Sequence, residues 1–391
     1  MIFINFLSYD LLMKVVIIVC TYNEKENTQN MLPVLDKVIK SITAHQVQVL
    51  YVDDSSPDNT ADVIKKGMSE YPWLRLLDGG KKQGLGMAYS RGMQYAMKEM
   101  AADYLLEFDA DFQHPPQDIP RLIAEIDRGF DYIVGSRYIP GGSVPKEWSA
   151  DRKMISFFGN LTARILLIMP KIHDITGGFK LSRVKGFMDK FDFNKLLSRQ
   201  FAYKIHLFAY MVNAGARVKE VPFNFASRTA GDSKILKNEM KETLRVIFKY
   251  QLQNPKILRF LKFGIVGGTG LFIQTTFFEI FSVFSHTLSP SVATTIGGEM
   301  AIISNFILNN MWTFNEYKVT GIKMIEKFVQ FNLTSLIALT IQFVILKIGE
   351  SVSKGNPFVI QLFYFGAIFL VLITNYYIYN KFIWKTKTKA N

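Results

Sequence analysis

Short apolar runs alternate with amphipathic stretches over the first 255 residues. Val15–Cys20, Val47–Val52, Leu74–Leu77, Tyr104–Phe108 and Tyr132–Val134 are continuous in apolar character, as strands buried on both faces are. Thr60–Glu70, Gly86–Met100 and Asp118–Asp127 carry helical periodicity between them. This alternation predicts an open, mostly parallel α/β sheet. After Pro255 the pattern changes. Phe260–Phe284, Val292–Trp312, Phe328–Lys347 and Phe358–Phe382 are long and rich in Phe, Ile and Leu. Each approaches the ~20 residues of a membrane-spanning helix. Their interior polar residues are Gln274, Glu279, Glu299, Asn305, Asn309, Gln342 and Asn375. Core helices of a soluble domain are the alternative, but four such segments with short loops favour spanning helices.

Interfacial aromatics and charge agree with a membrane. Trp312, Tyr376, Tyr377, Tyr379 and Trp384 lie near the predicted helix ends. Lys318, Lys323 and Lys327 separate the second and third segments, and Lys381, Lys385, Lys387 and Lys389 follow the fourth. Loop Ser285–Pro290 has no Lys or Arg, and the loop after the third segment has only Lys347 and Lys354. Positive charge stays inside, so the expected multi-pass protein has both termini and the front domain on the cytoplasmic side.

Composition narrows the classes. Of 391 residues, 49% are hydrophobic and 14% aromatic, high for a soluble enzyme. The formal charge of +13 suits an anionic membrane surface or phosphorylated substrates as well as nucleic acid. Spanning helices and the lack of a nucleic-acid-binding motif argue against nucleic acid. Cys20 is the one cysteine, so no intrachain disulfide forms, and its place in an apolar strand suggests a core residue. Met1–Leu12 is apolar but has no basic leader or small-residue cleavage site, unlike a signal peptide; Met13 is an alternative start.

Ligands of parallel α/β sheets sit at the strands' carboxyl ends, and the polar motifs fall there. Thr21-Tyr-Asn-Glu24 follows the first strand, Asp53-Asp54 the second, and Asp109-Ala110-Asp111-Phe112-Gln113-His114-Pro115-Pro116 the fourth. Side-chain alternation points Asp109 and Asp111 the same way. Two carboxylates and the neutral oxygen of Gln113 form a hard site suited to Mg²⁺ or Mn²⁺ when substrate phosphates complete it. A bare Asp-x-Asp is also common in solvated loops. Asp53-Asp54 has a turn or cap as its alternative, although Asp58 and Asn59 are better placed to cap the next helix. Arg152, Ser156, Asn160 and Arg164 recur every four residues as a polar stripe among Met154, Ile155, Phe157, Phe158, Leu161, Ile165 and Leu166. That pattern fits a helix lying in a membrane interface, or an ordinary amphipathic core helix. A second amphipathic stretch, Ile235–Tyr250, carries Lys237, Lys241, Arg245 and Lys249 at the same spacing. A solvated basic face is the alternative for that stretch. Arg137, Arg152, Arg228 and Lys234 form a cationic set with a purpose if the acceptor is a lipid phosphate; a phosphate monoester is already anionic near neutral pH and needs no strong general base. His114, followed by proline, has a structural role as its simplest reading, and His173 and His206 are weak signals.

The ordered motifs resemble a known family. They are Cys20-Thr-Tyr-Asn-Glu-Lys-Glu-Asn27, Val52-Asp-Asp-Ser-Ser-Pro-Asp-Asn-Thr60, Gly84-Leu-Gly-Met-Ala88, the Asp109–Pro116 run and Gly135-Ser-Arg-Tyr138. Asp174-Ile-Thr-Gly-Gly-Phe179 and the Val221–Lys234 stretch complete the set. Over roughly residues 14–255 the chain resembles family 2 glycosyltransferases of the dolichyl-phosphate mannosyltransferase type. The tail, through Glu299, Asn305, Asn309-Asn310 and Trp312-Thr-Phe314, resembles the GtrA-like membrane module. The resemblance implies a GT-A-type, Rossmann-like catalytic domain over 14–234. It further implies an amphipathic interfacial linker over 235–258 and a four-helix transmembrane domain over 259–391. It implies metal-dependent, inverting transfer of mannose from GDP-mannose to dolichyl or polyprenyl phosphate. Thr21, Tyr22, Glu24, Asp53, Asp109 and Ala110 would bind the donor. Asp109, Asp111 and Gln113 would hold the cation. Arg137, Arg152, Ser156, Arg228 and Lys234 would grip donor or acceptor phosphates, with Asp111, Arg137, Arg228 and Lys234 the catalytic set. One departure is His206, where relatives commonly carry an acid, which leaves glucose, N-acetylglucosamine or a modified pentose, and a UDP-linked donor, open. A processive polysaccharide synthase would carry Gln-x-x-Arg-Trp, and the chain has none. A module that transports a lipid-linked sugar keeps some support from Glu279 and Glu299.

Overall fold

The computed structural model describes residues 12–227, 238–353 and 356–385. Arg228, Lys234, Lys237, the apolar start before Leu12 and Lys354, Lys387 and Lys389 lie outside the described residues. The chain forms two compact units, residues 1–251 and 252–391.

The first unit is built on seven strands. They are β1 (Lys14–Thr21), β2 (Gln46–Asp53), β3 (Leu74–Asp78), β4 (Tyr104–Phe108), β5 (Tyr132–Ser136), β6 (Lys180–Arg183) and β7 (Val218–Pro222), in the order β3-β2-β1-β4-β6-β5-β7. β1 pairs parallel with β2 and β4, β2 with β3, and β5 with β7. β6 alone runs antiparallel, between β4 and β5. Helices α1 (Lys25–Ser41), α2 (Thr60–Met68), α3 (Leu85–Lys98), α4 (Ile119–Ile123), α5 (Ala150–Leu166), α6 (Tyr203–Asn213) and α7 (Glu239–Leu252) surround it.

Helices on both faces explain the unbroken apolar strands. Val16, Ile18, Leu50, Val52 and Leu105 belong to one buried cluster with Ala88, Tyr89 and Met93 of α3 and Ile205 and Phe208 of α6. Val15, Ile17, Val19, Val49 and Leu106 point the other way, into a cluster with Leu35 of α1 and Leu122 of α4. Alternate side chains of a strand face opposite ways, so both registers must be apolar. The helix expected over Asp118–Asp127 is shorter, a 3₁₀ turn at Pro116–Asp118 followed by α4. α7, inside the stretch expected to link the domains, packs Val246 and Ile247 into the first cluster. Asn213 donates to its Tyr250 hydroxyl at 2.8 Å.

Register sets the site. Thr21 pairs with Asp53, and Val19 with Phe108, so three parallel strands end along one edge.

The second unit contains α8 (Pro255–Phe278), α9 (Pro290–Leu308), α10 (Ile322–Ser353) and α11 (Pro357–Ile378). α8, α9 and α11 each run into a π-helical turn, at Glu279–Phe284, Asn309–Thr313 and Tyr379–Ile383. Spans Pro255–Phe284 and Pro357–Ile383 are long and apolar enough to cross a membrane by length and hydropathy alone. Phe314 stacks on Trp384 with ring centres 4.3 Å apart. The Trp384 indole donates to the Asn310 side-chain oxygen at 3.0 Å, and the Asn310 amide donates to the Val319 carbonyl at 2.9 Å. Asn310 thus forms a tether between helix ends. Glu299 is exposed on α9.

Candidate active site

A cleft of about 1420 Å³ lies in the first unit, at the edge where β1, β2 and β4 end. Thr21, Tyr22, Glu24, Asp109, Ala110, Asp111, Gln113, Arg137, Arg152 and Ser156 all line it. It exceeds the roughly 300–1,000 Å³ of a single small-molecule site, so it has room for two substrates.

The carboxylate run is shaped by local turns. Asp109 follows β4 directly, and its carboxylate accepts from the Tyr89 hydroxyl at 3.3 Å. Phe112 adopts φ +61°, an uncommon left-handed conformation for a bulky residue. With it, the Gln113 backbone N–H donates to Asp111 at 3.1 Å. The Gln113 side-chain N–H₂ donates to the Ala226 carbonyl at 3.4 Å, leaving the amide oxygen for another partner. Among the described residues no group of three or more His, Cys, Asp or Glu could enclose a metal ion. The expected donor set would be the two carboxylates of Asp109 and Asp111 and the amide oxygen of Gln113. That fits Mg²⁺ or Mn²⁺ held jointly with substrate phosphates, not a closed protein cage.

His114 is structural. It is buried against Phe179, Phe108, Phe223 and Phe225, stacking on Phe179 at 5.0 Å. Its Nδ1 accepts from the Asp109 backbone N–H at 3.2 Å, which requires that nitrogen to be unprotonated. Burial lowers its pKa to about 4, so the ring is neutral at physiological pH. It holds the start of the carboxylate run against the aromatic core.

The strand-end acids divide. Asp53 is 2% exposed and reaches the cleft through Thr21, whose hydroxyl donates to it at 3.0 Å; Ser56 donates through both N–H and hydroxyl, at 2.9 and 2.6 Å. Asp54 lines the cleft and pairs with Arg91. Burial raises the Asp54 pKa, and Arg91 opposes the shift. Asp58 accepts from Thr60 N–H at 3.0 Å at the head of α2, whereas Asn59 makes no side-chain cap. Cys20 is half-buried, packed against the first cluster and also lining the cleft; burial raises its thiol pKa well above the usual value.

Arg137 is held rather than free. Its Nε and Nη2 donate to Asp174 at 2.7 and 2.8 Å, and Nη2 also to Thr176 at 2.9 Å. The Arg137 and Gly177 backbone N–H groups add bonds to Asp174, each at 3.0 Å. Arg137 holds the Asp174 carboxyl below the usual carboxylate range against the burial that would raise it. Nη1 is the guanidinium nitrogen left without a hydrogen-bond partner among the described residues.

Of the α5 stripe, Asn160 is buried, Ser156 and Arg164 are half-buried and Arg152 is exposed. Asn160 donates to the His173 carbonyl and accepts from Ile175 N–H at 2.9 Å, while Arg164 donates to the Pro170 carbonyl at 2.8 Å. Ser156 shares a 2.6 Å bond with Tyr138, and Arg152 lies over the Trp148 ring at 4.1 Å. Met154, Ile155 and Phe158 are 56%, 57% and 53% exposed. A helix with its apolar face in the core would bury them; here they leave an apolar surface on the cleft, while Ala163 packs into the first cluster. His206, at the position where relatives commonly carry an acid, accepts from Leu197 N–H at 3.2 Å and packs on Phe191 and Tyr250.

Several residues escaped the motif reading. Glu107, Lys180 and Lys204 are all buried beside the cleft floor. The Glu107 carboxylate accepts from the Tyr203 hydroxyl at 2.5 Å, and Lys180 donates to the Ile175 and Lys204 carbonyls at 3.0 and 3.4 Å. Burial raises the Glu107 pKa and lowers that of Lys180 to about 7. A charged residue inside the apolar run Tyr104–Phe108 was the available signal.

Residues 16–191 match the model of the glycosyl transferase family 2, and residues 262–384 that of the GtrA/DPMS transmembrane domain. A dolichol-phosphate mannosyltransferase of Pyrococcus furiosus is 32% identical over 85% of this chain and 90% of its own length. A polyprenol monophosphomannose synthase of Mycolicibacterium smegmatis is 33% identical over 59% of this chain and 84% of its own. An undecaprenyl-phosphate mannosyltransferase of Micrococcus luteus is 35% identical over 57% and 88%. The mixed sheet with its strand-end carboxylates is that of a GT-A-type glycosyltransferase, and the apolar tail makes the protein a membrane protein. The chain belongs to the dolichyl-phosphate mannosyltransferase type of the family 2 glycosyltransferases, with a GtrA-like membrane domain behind its glycosyltransferase domain.

Proposed function

We propose that the protein transfers mannose from GDP-mannose to dolichyl or another polyprenyl phosphate, inverting the anomeric centre. One observation carries this reading. A single cleft is lined by the Asp109–Gln113 run and by the exposed apolar residues Met154, Ile155 and Phe158 of α5. Phosphate chemistry and a lipid-facing surface therefore meet in one place. The names of the similar proteins support mannose and a polyprenyl acceptor.

In this reading Tyr22 and Glu24 contact the nucleoside, with Thr21 oriented by Asp53. Asp111 and Gln113, with Asp109 beside them, would hold Mg²⁺ or Mn²⁺, which when bound neutralises charge developing on the diphosphate leaving group. Arg152, Ser156 and Nη1 of Arg137 face phosphate oxygens, and Arg228 and Lys234 complete the set from outside the described residues. An acceptor phosphate oxygen forms the new bond to the anomeric carbon as the bond to the nucleoside diphosphate breaks. The acceptor is already an anion, so no residue needs to remove a proton, and the neutral His114 is not called on. One in-line displacement gives a β-linked product from an α-linked donor. The front domain and both termini are placed on the cytoplasmic side, where nucleotide sugars are supplied.

Mass spectrometry of lipids from membranes incubated with GDP-mannose, UDP-glucose and UDP-N-acetylglucosamine tests this. A polyprenyl-phosphate-hexose formed only with GDP-mannose is expected. A product formed only with a UDP-sugar would refute the donor assignment.

A further inference from the structure

Lys204 opens the first turn of α6, and its side chain lines the cleft although the residue is only 2% exposed. Its ammonium carries three donors. Among the described residues none of them meets a hydrogen-bond acceptor. Lys180, the other lysine of this buried group, differs in spending its donors on two main-chain carbonyls.

The surroundings of the Lys204 ammonium are specific. It lies 4.7 Å from the Phe201 ring centre and 6.0 Å from that of Tyr89. It also lies against Gly178, where a Cβ would collide with Nζ and would approach His114 Cε1 to 3.3 Å. The absence of a side chain at Gly178 is what leaves space for the cation. Gly178 belongs to the Asp174–Phe179 loop that pairs with Arg137, and His114 anchors Asp109. Lys204 therefore stands between the two motifs that bracket the reacting groups. Glu107, buried beneath, attracts it and offsets part of the cost of a buried charge. The Glu107 carboxylate, however, accepts its hydrogen bond from the Tyr203 hydroxyl.

The ammonium faces the cleft with no acceptor among the described residues, so an anionic ligand bound there would meet three available donors. We infer that Lys204 is a further substrate-binding residue, donating to a phosphate oxygen in the cleft. The chemistry is a phosphate anion, whether the donor's diphosphate or the acceptor's lipid phosphate. This rests on the functional reading above.

The test uses the full-length protein in detergent with Mg²⁺ and compares wild type with Lys204→Met, which keeps the apolar stem and removes the charge. One arm measures GDP binding by calorimetry, and the other the KM for a polyprenyl phosphate. Loss of a charge-assisted hydrogen bond predicts a weakening on the order of 10- to 100-fold in one arm, and Lys204→Arg should retain most of the binding. A loss in the GDP arm places Lys204 on the donor; a loss confined to the KM places it on the lipid phosphate. Unchanged values in both arms, with wild type behaving normally, overturn the inference and leave the functional reading intact. A wild type that engages neither ligand sinks the functional reading and the role of Lys204 with it. Should Lys204→Met alone fail to fold, Lys204→Gln, which removes the charge but keeps a polar end and leaves Glu107 with Lys180, is read the same way.

Discussion

Replacing Asp174 by Asn should unsettle the first unit before it says anything about catalysis. Asp174 is fully buried and accepts from Arg137 Nε, Nη2 and N–H and from Gly177 N–H. The Arg137 side chain is itself only 9% exposed, so solvent screens the pair little. The substituted amide would keep the shape and one oxygen but leave the guanidinium charge buried and unpaired. Breaking a buried ion pair from one side costs about 3–5 kcal/mol. For a domain of this size each kcal/mol shifts the melting temperature by roughly 2–4 °C, so a fall of about 6–20 °C is expected. Thermal melts of the full-length protein in detergent, followed by near-UV circular dichroism, measure it. Pairing Asp174→Asn with Arg137→Met should recover part of the loss, because no charge is then stranded. The pH dependence has a fixed sign. Arg137 depresses the Asp174 pKa in the folded state, so the pair's contribution is full above the unfolded value near 4. It is lost as pH falls through the folded value below that. A variant melting within about 2 °C of wild type, or one whose deficit grows only above pH 6, would refute the reasoning.

Three further outcomes are expected. Asp111→Asn should lower transfer on the order of 10²–10³-fold with little change in melting temperature, and EDTA should do the same to wild type until Mg²⁺ or Mn²⁺ is restored; full activity in chelator would remove the metal from the mechanism. Arg152→Ala and Arg228→Ala should each raise the KM for polyprenyl phosphate roughly 10-fold or more while GDP binding stays near normal; normal handling of the lipid would make both surface charges. A chain ending near Asn254, which retains the first compact unit, should bind GDP-mannose with its metal and transfer to detergent-dispersed acceptor at a reduced rate. A folded truncated chain without donor binding would show that the membrane helices help build the site.

Much of this protein is local in origin and was legible as such. β1, β2 and β4 announce themselves because a strand covered on both faces must be apolar in both registers. The strand-end position of Thr21, Asp53 and Asp109 follows from where those runs stop, and the long apolar segments follow from the thickness of a bilayer. α1 was harder to see, with Pro33 inside it and a polar first turn, and β6 reads Lys-Leu-Ser-Arg, a polar string made into a strand only by neighbours on both sides. The direction of the α5 stripe was open too, since an amphipathic helix has two faces and its sequence does not say which one meets the protein. Tertiary structure decided that Asn160 and Arg164 turn inward and Phe158 outward. It also decided that Asp53 acts through Thr21, that Arg137 is clamped by Asp174 37 residues away, and that Lys204 meets Gly178 and the charge of Glu107. Periodicity records which faces must be dry. Which charge meets which depends on how distant segments cross, and only the folded chain brings them together.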